Sequence, residues 1–188
     1  MNQTQSSTLP RSKTYEITIT ALMTAVTCIL APMSIPIGPV PISFTNLAIY
    51  LSLYLLGWKR GTISYLIYLL IGLVGIPVFS GFTSGPGKLF GPTGGYLIGF
   101  IPLALIAGYF INHFHNKKAL RFLGMILGTA VCYALGTTWL AIQAHMGFQA
   151  ALMAGVVPFL PGDFIKMILA LLIAPQIRKQ LDAAGLAR

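Results

Sequence analysis

Leu160-Pro161-Gly162-Asp163-Phe164-Ile165-Lys166 opens the last long apolar stretch of the chain. Asp163 and Lys166 are an acid and a base inside a segment that is otherwise hydrocarbon. A charge at the centre of a bilayer costs roughly 2.5 kcal/mol or more, so such a residue normally faces an interior cavity and has a partner. Spacing of i,i+3 puts both groups on one helix face, where they can pair. Pro161 and Gly162 suit a helix start, and the helix N-terminus favours an acid there. A helix over 162–177 would be ~24 Å long at 1.5 Å per residue, shorter than the ~30 Å hydrocarbon core. The pair is therefore expected a little below one membrane surface, under a cap of loops. It can bind a polar solute or staple two helices, and the first use is the one expected.

Other polar groups can face the same space. Ser43, Asn46, Tyr50 and Tyr54 fall at i, i+3, i+7 and i+11, one helical stripe. Cys132, Gly136, Trp139 and Gln143 form a comparable stripe. Asn46 and Gln143 can both donate and accept hydrogen bonds, and an interhelical bond would account for either equally well. Trp139 offers an apolar face with one N–H, useful for a ligand or for packing. Lys88-Leu-Phe90-Gly91-Pro-Thr93-Gly94-Gly95 is Gly-rich and opens an apolar segment. Backbone N–H groups at a helix start attract anions, and the glycines let a loop move as a lid. A plain turn is the simpler reading. It is not a phosphate-binding P-loop, because GxxxxGK[ST] and a preceding strand are both missing.

The elements that must position these groups are membrane helices. The chain has 188 residues, 56% of them hydrophobic and only 8% charged, with a mean hydropathy of +0.81. Soluble domains are roughly 25% charged, so this chain cannot clothe a water-facing surface. Six predicted spans fit the apolar pattern: about 15–35, 40–57, 61–78, 94–112, 122–146 and 156–177. A polar tail precedes them at 1–14 and a basic tail follows at 178–188. The loop over 79–93 contains four glycines and two prolines. Arg11, Lys13, Lys59, Arg60, Lys117, Lys118, Arg121, Arg178, Lys179 and Arg188 all fall on one side of this arrangement. The positive-inside rule then places both termini in the cytoplasm. The Gly-rich loop and the turns at 36–41 and 147–158 lie outside, so a recognised solute is expected to arrive from there.

Other classes find little support. No HExxH, GxSxG or paired carboxylates are present, so no enzyme is expected. The basic residues alternate with apolar segments, which argues for a membrane and against nucleic acid. Cys28 and Cys132 lie in apolar runs with no metal-site spacing, and no cofactor or metal is expected. Small residues recur four apart at Ala21/Ala25, Gly95/Gly99, Ala104/Gly108 and Gly124/Gly128, which allows close helix approach. A stand-alone proton-coupled transporter, with Asp163 as its titrating group, is the alternative within the membrane class.

The segments VPISFTNLAIYLSLYLLGWKRG (40–61), GLVGIPVFSGF (72–82), GPGKLFGPTGGYLIGF (85–100), ALGTTWL (134–140) and PFLPGDFIK (158–166) together resemble the BioY family, in its Lactococcus-type form. That family comprises the biotin-specific S components of energy-coupling factor (ECF) transporters. The resemblance covers about residues 15–177. It implies an all-α fold of six transmembrane helices with the vitamin site near the outer surface. It also implies a multi-pass location in a bacterial plasma membrane, and partnership with a membrane subunit, EcfT, and two cytoplasmic ATPases. The docking motif of S components would be Ala21 and Ala25. Biotin would then meet Asp163 and Lys166 through its ureido group, assisted by Asn46 or Gln143. Trp139 and Phe90 would pack on its ring. The backbone from Gly91 through Thr93, Gly94 and Gly95, with Lys88, would hold the carboxylate, although the two ends can be exchanged.

Overall fold

The computed structural model describes residues 13–115 and 117–183. Of the predicted tails, residues 1–12 and 184–188, with Arg11 and Arg188, lie outside the described residues, whereas 13–14 and 178–183 are helical. Within them the chain runs α1 (Lys13–Leu30), β1 (Ser34–Ile37), β2 (Val40–Ser43), α2 (Thr45–Leu56), α3 (Trp58–Leu73), α4 (Pro86–Leu89), α5 (Gly94–His113), α6 (Lys118–Gln143), α7 (Phe148–Gly155) and α8 (Leu160–Ala183). Among the described residues three helices are long and apolar enough to cross a membrane, at Gly94–His113, Lys118–Gln143 and Leu160–Leu181.

The all-helical expectation needs one correction. Residues 34–43 form an antiparallel hairpin in which Ser34 pairs with Ser43 and Ile37 with Val40. The segment Ile35-Pro-Ile-Gly-Pro-Val-Pro41 cannot be helical, because its prolines supply no N–H and clash with a preceding turn. Gly38, at φ 76°, makes the turn. Pro36 and Pro41 face each other across the ladder and leave an edge poor in donors. The first helix therefore stops at Leu30, and Ser43 stands on a strand instead of on the stripe of α2. Similarly α3 ends at Leu73, and the chain from Val74 to Thr93 is loop apart from the single turn α4.

Glycines let α5 and α6 lie almost backbone to backbone. A Cβ on Gly99 would stand 3.1 Å from the Cys132 Cα, and one on Gly128 3.0 Å from the Leu103 carbonyl oxygen. On Gly136 it would overlap the Tyr96 ring at 2.3 Å. Beneath the hairpin, Tyr50, Tyr65, Tyr68, Leu53, Leu103 and Met125 are fully buried. The Tyr50 hydroxyl meets Thr129 Oγ1 at 2.6 Å, and the Tyr65 hydroxyl donates to the Leu97 carbonyl at 2.7 Å. Such pairing satisfies polar tips that could not otherwise be buried.

The long loop is tied down at both sides. Gly85 N donates to the Gly72 carbonyl at 2.8 Å and Gly81 N to the Pro32 carbonyl at 3.0 Å. The Phe79 ring packs edge-on against Tyr68 at 5.6 Å. Thus the hairpin, the loop and the starts of α2, α5 and α8 meet at one end of the bundle. The opposite end gathers Lys13 with the Glu16–Arg60 ion pair, Lys59, Lys117, Lys118, Arg121, Arg178 and Lys179.

Candidate functional site

A cavity opens at the hairpin end, with about 650 Å³ of unfilled space between its lining atoms and at its mouth. The hairpin supplies Val40, Pro41 and Ser43, α2 supplies Thr45 and Asn46, and the loop supplies Ser80 and Thr93. Tyr96, Leu97, Phe100 and Leu103 come from α5, and Thr129, Cys132 and Tyr133 from α6. Gly155 and Phe159 close one side, and Asp163 and Lys166 of α8 line another. The walls are mainly apolar with a few convergent polar groups, the usual character of a small-molecule site.

Asp163 and Lys166 are the centre of that polar set. They are 7% and 6% exposed, and Lys166 Nζ donates to Asp163 Oδ1 at 2.9 Å. Both sit in the first two turns of α8, where the Asp163 N–H donates to the Phe159 carbonyl. Lys166 Nζ also donates to the Ser43 carbonyl at 2.7 Å and lies 5.9 Å from the centre of the Phe44 ring. Asp163 Oδ2 accepts from the Tyr133 hydroxyl at 2.6 Å. An ammonium has three donors and a carboxylate about four acceptor positions, so each retains capacity for a ligand. A buried pair with good geometry and extra hydrogen bonds can remain ionised where a lone charge could not.

Asn46 lies on the cavity wall, its Oδ1 accepting from the Leu47 N–H at 3.0 Å. Its NH2 is available to a ligand. Thr93 is also on the wall. These two join the Asp163–Lys166 pair.

The remaining predicted groups are placed elsewhere. Trp139 is half-buried and spends its indole N–H on the Gly91 carbonyl, at 2.9 Å. It thereby pins the loop to α6 and is absent from the cavity wall. Gly94 and Gly95 are buried at the start of α5 by close packing. A Cβ on Gly94 would lie 1.7 Å from the Leu89 carbonyl oxygen, and one on Gly95 2.2 Å from the Trp139 Cβ. Phe90 is 61% exposed, and Gln143, the last residue of α6, is exposed. Along 132, 136, 139 and 143 only Cys132 reaches the cavity, because the stripe climbs α6 past the cavity to the loop and then to the helix end. Tyr54 lies at the opposite end, against Arg121. Lys88 is half-buried on α4, and that burial lowers its ammonium pKa. Ala21 and Ala25 are exposed on α1 and line an open apolar groove with Ile63, Ile67 and Ile71 of α3.

Tyr133 is the polar partner of Asp163 that sequence reasoning missed, as it did the apolar lining residues Leu97, Phe100, Leu103 and Phe159. Tyr133 stands one position after Cys132 on α6, off the stripe followed above. The signal was its phenol, the one long donor on α6 able to reach a carboxylate that needs a second partner.

The BioY family model matches residues 1–183. A protein named Biotin transporter BioY from Thermotoga maritima is 39% identical over 158 residues, 84% of this chain and 92% of its own. A Probable biotin transporter BioY from Pyrococcus horikoshii is 38% identical, over 88% of this chain and 98% of its own. Biotin transporter BioY2 of Lactococcus lactis is 36% identical over 86% and 88%. The fold is similar to the 2.1 Å crystal structure of the S-component for biotin from an ECF-type ABC transporter. The TM-score is 0.82 at 34% identity, covering 89% of this chain and 92% of that one.

Proposed function

The chain belongs to the BioY family, and from that premise we propose that it is the membrane subunit of an ECF-type transporter that captures biotin. It is a substrate-binding subunit and not an enzyme. The observation that carries the reading is the buried Asp163–Lys166 pair, opening on a mainly apolar cavity with Asn46 beside it. Biotin is a compact apolar bicycle whose ureido group has two N–H donors and one carbonyl acceptor. Asp163 accepts from those N–H groups, Lys166 donates to the carbonyl, and Asn46 completes the polar set. The apolar wall of Leu97, Phe100, Leu103 and Phe159 takes the rings. The carboxylate lies nearer the mouth, at Thr93 and under the loop segment Phe90–Gly95 that Trp139 holds.

The same proposal assigns six membrane passages to α1, α2, α3, α5, α6 and α8, with the hairpin end outside. Both termini are then cytoplasmic, in accord with the gathering of cations at the opposite end. EcfT docks on the exposed face that carries Ala21 and Ala25, and ATP is hydrolysed by two separate ATPase subunits. Biotin binds with loop closure, and the whole subunit then turns against EcfT to release it inside.

Mass spectrometry of ligand retained by the detergent-purified protein tests the substrate, with co-purified biotin expected. Titration with biotin and biotin amide tests the site. Lys166→Ala is expected to weaken both ligands. Biotin affinity unchanged by this substitution would remove Lys166 from the site, and loss confined to biotin would place its carboxylate at Lys166.

A further inference from the structure

At the end of the bundle opposite the biotin cavity, a second pocket lies between α2, α5, α6 and α8. Tyr54, Ile111, His115, Arg121, Pro175 and Arg178 line it, together with Lys179. Three basic side chains and one imidazole therefore converge there, with no acidic side chain among the described lining residues. Arg178 is anchored, donating from Nη1 to the Tyr54 carbonyl at 3.2 Å. Arg121 lies over the Tyr54 ring at 5.8 Å. Tyr54 is only 3% exposed and its hydroxyl is held by the Arg121 guanidinium, whereas the buried Arg121 Nε meets no hydrogen-bond partner of good geometry. A buried guanidinium N–H left without an acceptor in a cationic pocket is the pattern of a site awaiting an oxyanion, since an orphaned buried donor normally finds a partner. Arginine suits phosphate best, through its forked donors.

We propose that this pocket binds the phosphate of an anionic lipid headgroup. The lipid source follows from the surroundings. Leu172, Ile173 and Ile177 of α8 are exposed just before and beside Arg178, an apolar face on which acyl chains can lie. Basic pockets between membrane helices at the cytoplasmic surface are the recurrent form of such sites. The proposal rests on the topology given above, but not on the identity of the captured solute. Its effect is to hold the α5–α6 connection and the end of α8 at one depth in the leaflet.

Native mass spectrometry of the detergent-purified protein, titrated with phosphatidylglycerol or phosphatidylcholine, tests it. A retained phosphatidylglycerol adduct is expected, with retention about tenfold weaker in Arg178→Gln and in Arg121→Gln, the loss of one charge-assisted contact. Lys59→Gln, at a cation of the same end that does not line the pocket, is the control and keeps the adduct. Arg178 is exposed, so its variant folds even if the Arg121 variant does not, and retained biotin reports that the fold is intact. Equal retention of the two lipids, or undiminished retention in Arg178→Gln, overturns the proposal. Displacement of the lipid by millimolar inorganic phosphate overturns the lipid source in favour of a soluble anion.

Discussion

Lys166 Nζ donates at 2.7 Å to the backbone carbonyl of Ser43, a residue 123 positions earlier in the chain. The charged turn of α8 is thereby fastened to the end of a proline-rich hairpin, and two distant segments become one wall. Because the acceptor is backbone, Ser43→Ala should leave it in place and remove the 2.8 Å contact of Ser43 Oγ with Thr45 Oγ1 and the 3.4 Å bond that Ser43 Oγ accepts from the Thr45 N–H. Biotin affinity is expected to change less than about threefold, within the value of one neutral hydrogen bond. Isothermal titration of the purified variant checks this.

The buried pair separates stability from binding. Lys166→Met leaves Asp163 buried beside no cation, and such a loss costs about 3–5 kcal/mol. Asp163→Leu does the same to Lys166. The double variant Asp163→Leu/Lys166→Met should recover much of the thermal stability, because a well-packed apolar pair can replace an ion pair, while biotin binding stays lost. Melting curves and ligand binding on the three variants decide it. A double variant that binds biotin would be fatal to the assigned roles.

Tyr133 holds the other oxygen of Asp163 at 2.6 Å. Its phenol and the Lys166 ammonium together hold both oxygens of the carboxylate. Tyr133→Phe removes a hydrogen bond to a charged group, worth roughly 1.5–3 kcal/mol. Biotin should bind at least about tenfold more weakly, with a melting temperature that falls less than in the single-charge variants. Unchanged affinity would assign Tyr133 to packing alone.

Trp139 acts through the loop. Trp139→Phe keeps the ring against Gly95 and loses the N–H to the Gly91 carbonyl. One hydrogen bond of about 0.5–1.5 kcal/mol should appear as two- to tenfold faster biotin dissociation with little change in association. Stopped-flow or surface-based kinetics separate the two rates. A change confined to association would argue that Trp139 gates entry instead.

The α5–α6 contact is tested by a single methyl group. In Gly136→Ala the new Cβ meets the Tyr96 ring at 2.3 Å, and overpacking of this kind costs about 1–3 kcal/mol. Gly162→Ala, which has open space around the new Cβ, serves as the comparison. The melting temperature of the first should fall by several degrees and that of the second should not.

How far the sequence reads into the fold varies by element. The charged pair of α8 was legible because two ionisable groups three residues apart in hydrocarbon have few uses, and the structure joins them at 2.9 Å. Asn46 and Thr93 reach the same cavity. The hairpin was read only as a turn at 36–41, because strand pairing depends on which segment lies opposite, and a proline-rich run says merely that it is not helix. Trp139 and Gln143 share a stripe with Cys132, yet a stripe gives a direction around α6 and no height along it. Only the neighbouring loop determines where the cavity ends. Tyr133 was missed for the complementary reason, lying beside the stripe but level with Asp163.

Gly99, Gly128 and Gly136 make the contact between α5 and α6 intolerant of added atoms, whereas the facing wall comes from a ten-residue hairpin and one turn of α8. The glycine seam should therefore tolerate little change of any kind, whereas the facing wall is constrained by its cargo through Asp163 and Lys166. Exchange of residues 34–43 together with 160–166 is then the shortest genetic route to a subunit with a different cargo, the glycine seam serving as the unaltered chassis.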